Sequence, residues 1–141
     1  MESKESKQIF DRNKIKQRGI KRFTNSVKNS VNGLIYAYVN EQSLTLHAIL
    51  TLIVLVSGFY FHISKMQWAI LVIVVSIVMI TELLNTAIEA VVDLVTNEYH
   101  ELAKIAKDCA SAAAFVSSLL ATGLYLYVFM PQIYKLIVNL F

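Results

Sequence analysis

Of the 141 residues one is cysteine, one is proline and four are glycine, and each shortage closes a class of function. A single thiol, Cys109, cannot close an internal disulfide and has no partner at zinc-ligand spacing, so neither a disulfide framework nor a structural zinc site is on offer. Gly19, Gly33, Gly58 and Gly123 stand far apart, and none opens a phosphate-binding loop or a dinucleotide fingerprint. Charge is scarce too. Asp, Glu, Lys and Arg make up 16% of the chain, against about a quarter in a soluble domain. No Ser-His-Asp arrangement is suggested by the remaining polar residues. The basic N-terminus does not lead into a short apolar core with a small-residue cleavage site, so it does not read as a removable signal peptide.

What is present is apolar sequence in long runs. Hydrophobic residues are 56% of the chain, which implies that much of the surface faces lipid. Residues 1–18 are Lys-, Ser- and Gln-rich with little apolar periodicity and read as a mobile basic tail. Over residues 19–39, Ile20, Phe23, Val27, Val31, Leu34 and Tyr38 recur at three- and four-residue steps, which predicts an amphipathic surface helix. Three runs then suit a bilayer core, which needs about 20 apolar residues: 44–63, 66–95 and 110–130, the last closed by Pro131. Phe59, Tyr60, Phe61 and Trp68 bracket the turn between the first two, and Tyr125, Tyr127 and Phe129 mark the far end of the third, as interfacial aromatics do. The expected fold is therefore an all-α membrane protein, a single domain over 19–141.

The thirteen Lys and Arg are unevenly placed, nine of them at or before Lys28. With Lys104 and Lys107 these share one side of the membrane, leaving Lys65 and Lys135 on the other. The positive-inside rule then puts the N-terminus in the cytoplasm. A basic segment running straight into spanning helices suits an anionic membrane surface and not a nucleic acid. Small residues recur in rows on the third span, Ala110, Ala114 and Ser118 beside Ala113, Ser117 and Ala121, and read as close helix packing with no chemistry of its own.

The informative stretch is Thr81 to Asp93. At about 100° per residue, Glu82, Asn85, Glu89 and Asp93 fall within one sector of about 80° on an otherwise apolar helix. An acidic side chain at the centre of a span costs roughly 2.5–3.5 kcal/mol on insertion scales, so two glutamates there point to function. The second span runs inward, which places Glu82 deep and Glu89 about 10 Å nearer the cytoplasm. A carboxylate at the interface, paired with Glu41, is a hard oxygen site suited to Mg²⁺ carrying a nucleotide's phosphates. The deeper carboxylate meets a lipid hydroxyl, and Lys107 neutralises phosphate charge as a point cation. Phosphoryl transfer requires mainly metal, cation and alignment. His47, inside the first span, reads as a satisfied polar contact, and His62 as facing head groups.

Taken in order, Asn40-Glu41, the run from Glu82 to Asp93, Glu98-Tyr99-His100-Glu101-Leu102-Ala103, Ala106-Lys107-Asp108 and Ser111-Ala112-Ala113 resemble the bacterial diacylglycerol kinase and undecaprenol kinase family, over about residues 22–130. The resemblance implies a homotrimeric bundle in the bacterial plasma membrane that moves the γ-phosphoryl of ATP onto a lipid alcohol with Mg²⁺ as cofactor. It implies Glu82 as general base and Glu41 and Glu89 as metal holders that also face ATP. Nucleotide contacts fall to Glu98, Tyr99, His100, Lys107 and Asp108. Arg22 and Ser111 match residues on the lipid side, and Asn85 joins Glu82 among the substrate contacts. Tyr125 and Asn29 stand where the diacylglycerol-specific branch carries aromatic residues, a Trp in the first case. With Leu84-Asn85-Thr86, the basic N-terminus and the ending at Pro131, they resemble the Gram-positive branch, which mainly phosphorylates undecaprenol. Diacylglycerol is the alternative acceptor.

Two other classes compete. Intramembrane carboxylates also mark proton- or ion-conducting proteins, but residues 70–80 are apolar except Ser76 and supply no stations toward the outer face. An accessory subunit docking through the small-residue rows leaves the Glu82 row unexplained.

Overall fold

The computed structural model describes residues 19–139. Every regular element among them is an α-helix: α1 (Ile20–Asn40), α2 (Gln42–Tyr60), α3 (Lys65–Val95) and α4 (Glu101–Val138). The basic tail expected over residues 1–18 lies outside the described residues. The chain forms two units, Met1–Ile35 and Tyr36–Phe141. In the first, every described residue of α1 is exposed, the apolar Ile20, Phe23, Val27 and Val31 among them.

The second unit holds the helices α2, α3 and α4, all three long and apolar enough to cross a membrane. Their outward faces are Leu, Ile, Val and Phe, for example Leu52, Val56, Ile73, Ile80, Phe115 and Leu119. Such faces are stable only against lipid or other apolar chains. α3 and α4 form the principal helix pair, and α2 packs on α3 less extensively. The buried stripe of α3 is Leu71, Val74, Val78, Glu82 and Thr86. These recur at helical steps of three or four, so Glu82 occupies a position that its own pattern would fill with an aliphatic residue.

The turn between α2 and α3 is built from its local sequence. His62 adopts a left-handed backbone (φ 49°) that reverses the chain, and Ser64 and Gln67 then cap α3 reciprocally, Gln67 N donating to Ser64 Oγ (3.3 Å) and Ser64 N to Gln67 Oε1 (2.8 Å). Gly58 lets α2 approach Trp68, since a Cβ at that position would lie 2.6 Å from the indole. Ile63, Leu71, Val128 and Phe129 make the core at this end, with Trp68 and Tyr125 packed on it.

Three expectations need correcting. The helix that carries the third run starts well before residue 110: His100 caps α4, its Nδ1 accepting from Leu102 N (3.2 Å), so Lys104, Lys107 and Asp108 sit on the first two turns of a helix. Pro131 does not end that helix, which continues to Val138. Proline removes one donor, a loss that neighbouring groups in a spanning helix accommodate. Phe129 is fully buried, 4.6 Å from the Tyr125 ring and 6.0 Å from the Phe61 ring, and is a core residue instead of an interfacial one.

Candidate active site

Glu82 is the most deeply placed charged group of the bundle, 6% exposed on the inner stripe of α3. Each of its carboxylate oxygens is engaged. Ser43 Oγ donates to Oε2 at 2.8 Å, and His47 Nε2 stands 3.1 Å from Oε1. Both partners come from α2, four residues apart, so a single helical face presents them together. Each carboxylate oxygen accepts more than one hydrogen bond, which leaves acceptor capacity on Glu82. Behind His47, Ser118 of α4 brings Oγ to 3.5 Å from Nε2. An apolar cavity of about 300 Å³ begins at these side chains, lined among others by His47, Thr51, Val54, Val78, Ser118 and Tyr125.

One turn further along α3, Asn85 Nδ2 donates to Glu89 Oε1 at 2.9 Å, while Asn85 Oδ1 is buried without a hydrogen-bond partner. Exposure rises along the row, from buried Glu82 through half-buried Asn85 and Glu89 to exposed Asp93. Lys107 of α4 reaches across to Asp93, Nζ to Oδ1 2.6 Å. That hydrogen bond, with the nearby Asp93 and Glu89 charges, holds the Lys107 ammonium above the ordinary lysine range. It is therefore a cation at any physiological pH, just ahead of the apolar part of α4.

The remaining residues singled out from sequence are placed less closely. Glu41 is half-buried at the N-cap of α2, and its side chain makes no cap hydrogen bond. No contact joins it to Glu89, and no group of three or more metal-ligating side chains occurs among the described residues. Asp108 pairs with Lys104 on the same helix face. Glu98 and Tyr99 are exposed in the short turn before α4, and His100 serves as its cap. Arg22 and Ser111 are exposed on α1 and α4. Mg²⁺ fits the donors that are present: carboxylate oxygen at Glu89 and a partnerless amide oxygen beside it are the hard ligands this ion takes.

Ser43 and Ser118 are the neighbours of this site that sequence reasoning missed, and His47, read as a satisfied polar contact, is satisfied by Glu82 itself. The available signal was positional, Ser43 and His47 at a four-residue step on the helix preceding the Glu82 row. The small-residue rows on α4 are also not silent. Ser117 Oγ lies 2.7 Å from Thr81 Oγ1, and Ser118 touches His47.

A profile of the family described as prokaryotic diacylglycerol kinase matches residues 28–129, most of the chain and every singled-out site residue except Arg22. The chain belongs to this family. Among its relatives, the undecaprenol kinase of Bacillus subtilis is 34% identical over 114 residues, 81% of this chain and 93% of that protein. The diacylglycerol kinase of Escherichia coli K12 is 36% identical over 103 residues, 73% of this chain and 84% of that protein. A diacylglycerol kinase of Synechocystis is 36% identical over 107 residues, 75% of this chain but 61% of that longer protein. The chain thus spans about three fifths of the Synechocystis relative and most of the other two. Membership of the family makes the polar row on α3 the candidate centre of a membrane lipid kinase.

Proposed function

We propose that the chain transfers the γ-phosphoryl group of ATP to the hydroxyl of a lipid alcohol at the cytoplasmic face of the bacterial plasma membrane, with undecaprenol as the acceptor. The observation that carries this reading is the buried, hydrogen-bonded Glu82 in an apolar bundle of this family. In the step, Glu82 takes the proton of the lipid hydroxyl, the hydroxyl oxygen bonds to the γ-phosphorus, and the bond from that phosphorus to the β–γ bridging oxygen breaks to release ADP. Glu89 and Glu41 hold Mg²⁺, which when bound offsets charge on the phosphates. Lys107, fixed by Asp93, adds a positive charge at the same end of the row. Glu98, Tyr99, His100 and Asp108 face the nucleotide, and Arg22, Asn85 and Ser111 face the lipid. The amphipathic α1 lies along the interface. Three copies assemble so that Glu41 of one meets Glu89 of another, a reading supported by the lack of a side-chain partner for Glu41 among the described residues.

Diacylglycerol is the second acceptor to weigh, because the Escherichia coli relative bears that name at 36% identity. Undecaprenol is favoured by the match over 93% of the Bacillus subtilis protein, and by the chain's resemblance to the Gram-positive branch at Asn29 and Tyr125. Purified protein in vesicles with ATP and Mg²⁺, offered each lipid alcohol in parallel, decides between them. A higher kcat/KM for undecaprenol supports the reading, a higher value for diacylglycerol reverses the choice of acceptor, and no transfer to either removes the kinase assignment.

A further inference from the structure

Two hydroxyls and one imidazole around Glu82 determine where the protons lie. Ser118 Oγ donates to the carbonyl of Ala114 at 3.0 Å, the residue one turn before it on α4. With its single proton placed there, Ser118 Oγ can only accept from His47 Nε2. Nε2 therefore carries a hydrogen, which points at Glu82 Oε1 at 3.1 Å and secondarily at Ser118. Ser43 Oγ has its proton on Oε2 at 2.8 Å. The carboxylate is thus clamped by two donors from one face of α2, and the imidazole in turn is set by α4. We propose that His47, assisted by Ser43, is the positioning residue of this enzyme: it fixes the rotamer and lone-pair direction of Glu82 so that a free lone pair meets the acceptor hydroxyl. His47 moves no proton to substrate itself and touches no nucleotide.

Several features support a positioning role. His47 is 16% exposed at its side chain and borders the apolar cavity. An unclamped carboxylate there is free to rotate about its side-chain torsions, and a misplacement of about 1 Å costs up to about 10² in rate. The pair also lies beyond the Asn85–Glu89 contact, away from the Lys107 end, so its loss leaves that end of the row intact. This inference rests on the lipid kinase reading for its kinetic arm only.

The test uses the full chain in lipid vesicles. His47→Leu keeps volume but removes the donor, and should lower kcat roughly ten- to a hundredfold with KM for Mg-ATP unchanged. His47→Gln, which restores an N–H donor, should recover most of that loss. In a Glu82→Gln background His47→Leu should lower the residual turnover little further, because its effect passes through Glu82. Additive losses in the double variant, or a KM for Mg-ATP that rises in step with the fall in kcat, overturn the proposal. An activity-independent arm reads the Glu82 carboxylate stretching bands by infrared difference against Glu82→Gln. They should shift in His47→Leu and return toward their native position in His47→Gln, and bands indifferent to both variants overturn it. Native protein that phosphorylates no lipid alcohol counts against the kinase reading, and the infrared arm then decides the hydrogen-bonded clamp by itself.

Discussion

Glu82 stands where the stripe of α3 calls for an aliphatic side chain, and a carboxylate at that depth costs roughly 2.5–3.5 kcal/mol on insertion scales. Ser43 and His47 offset part of that cost by replacing water as donors. Nearer the exposed end, Glu89 accepts from Asn85 Nδ2, while Asn85 Oδ1 has no hydrogen-bond partner among the described residues. Their chemistry differs accordingly. Glu89→Gln preserves shape but removes the charge, so Mg²⁺-dependent turnover should fall by two or more orders of magnitude, on the order of what an electrostatic catalytic group supplies. Glu41→Gln should behave alike, and titration of turnover with Mg²⁺ checks both. Near-normal activity with an unchanged Mg²⁺ dependence in either variant is incompatible with a two-carboxylate metal site. Lys107 makes a further test: Lys107→Met should raise KM for ATP while leaving the lipid KM unaltered, measured by varying each substrate in turn.

At the scale of the helices, the three apolar runs were legible because period and length suffice to recognise a spanning helix. Their ends were less so. Pro131 reads as a stop in water-soluble sequence, yet α4 passes through it, since Val128 and Phe129 just before it are held in the core. The start of α4 was hidden because its cap is a histidine, which seldom signals a helix start, in place of Ser, Thr, Asp or Asn. Within the site, the Glu82 row shows in the sequence as four polar residues on one face. Its clamp does not, because Ser43, His47 and Ser118 lie 39, 35 and 36 positions from Glu82 or farther along separate helices, and only packing brings them to it. One contact of this kind is testable through stability. Gly58→Ala places a methyl group 2.6 Å from the Trp68 ring, and should cost about 1–3 kcal/mol as an overpacked contact. Thermal unfolding in mild detergent should show the loss, whereas Gly33→Ala, with open space around it inside α1, should show none.

For the whole molecule, α2, α3 and α4 expose apolar faces, and Glu41 has no side-chain partner among the described residues. A homotrimer is the assembly that the account predicts. Crosslinking in bilayers should give a ladder ending at three copies, and monomer alone would remove the shared site. The central claim concerns the division of labour along α3 in that assembly, with a deep base at Glu82 and nucleotide held nearer the exposed end. Its most direct test measures turnover and Mg-ATP binding side by side on the native protein and Glu82→Gln in the same vesicles. A general base contributes typically about 10²–10⁴-fold in rate. The account predicts a fall of that size in turnover with Mg-ATP affinity nearly unchanged, and nucleotide binding lost in parallel with turnover would contradict it.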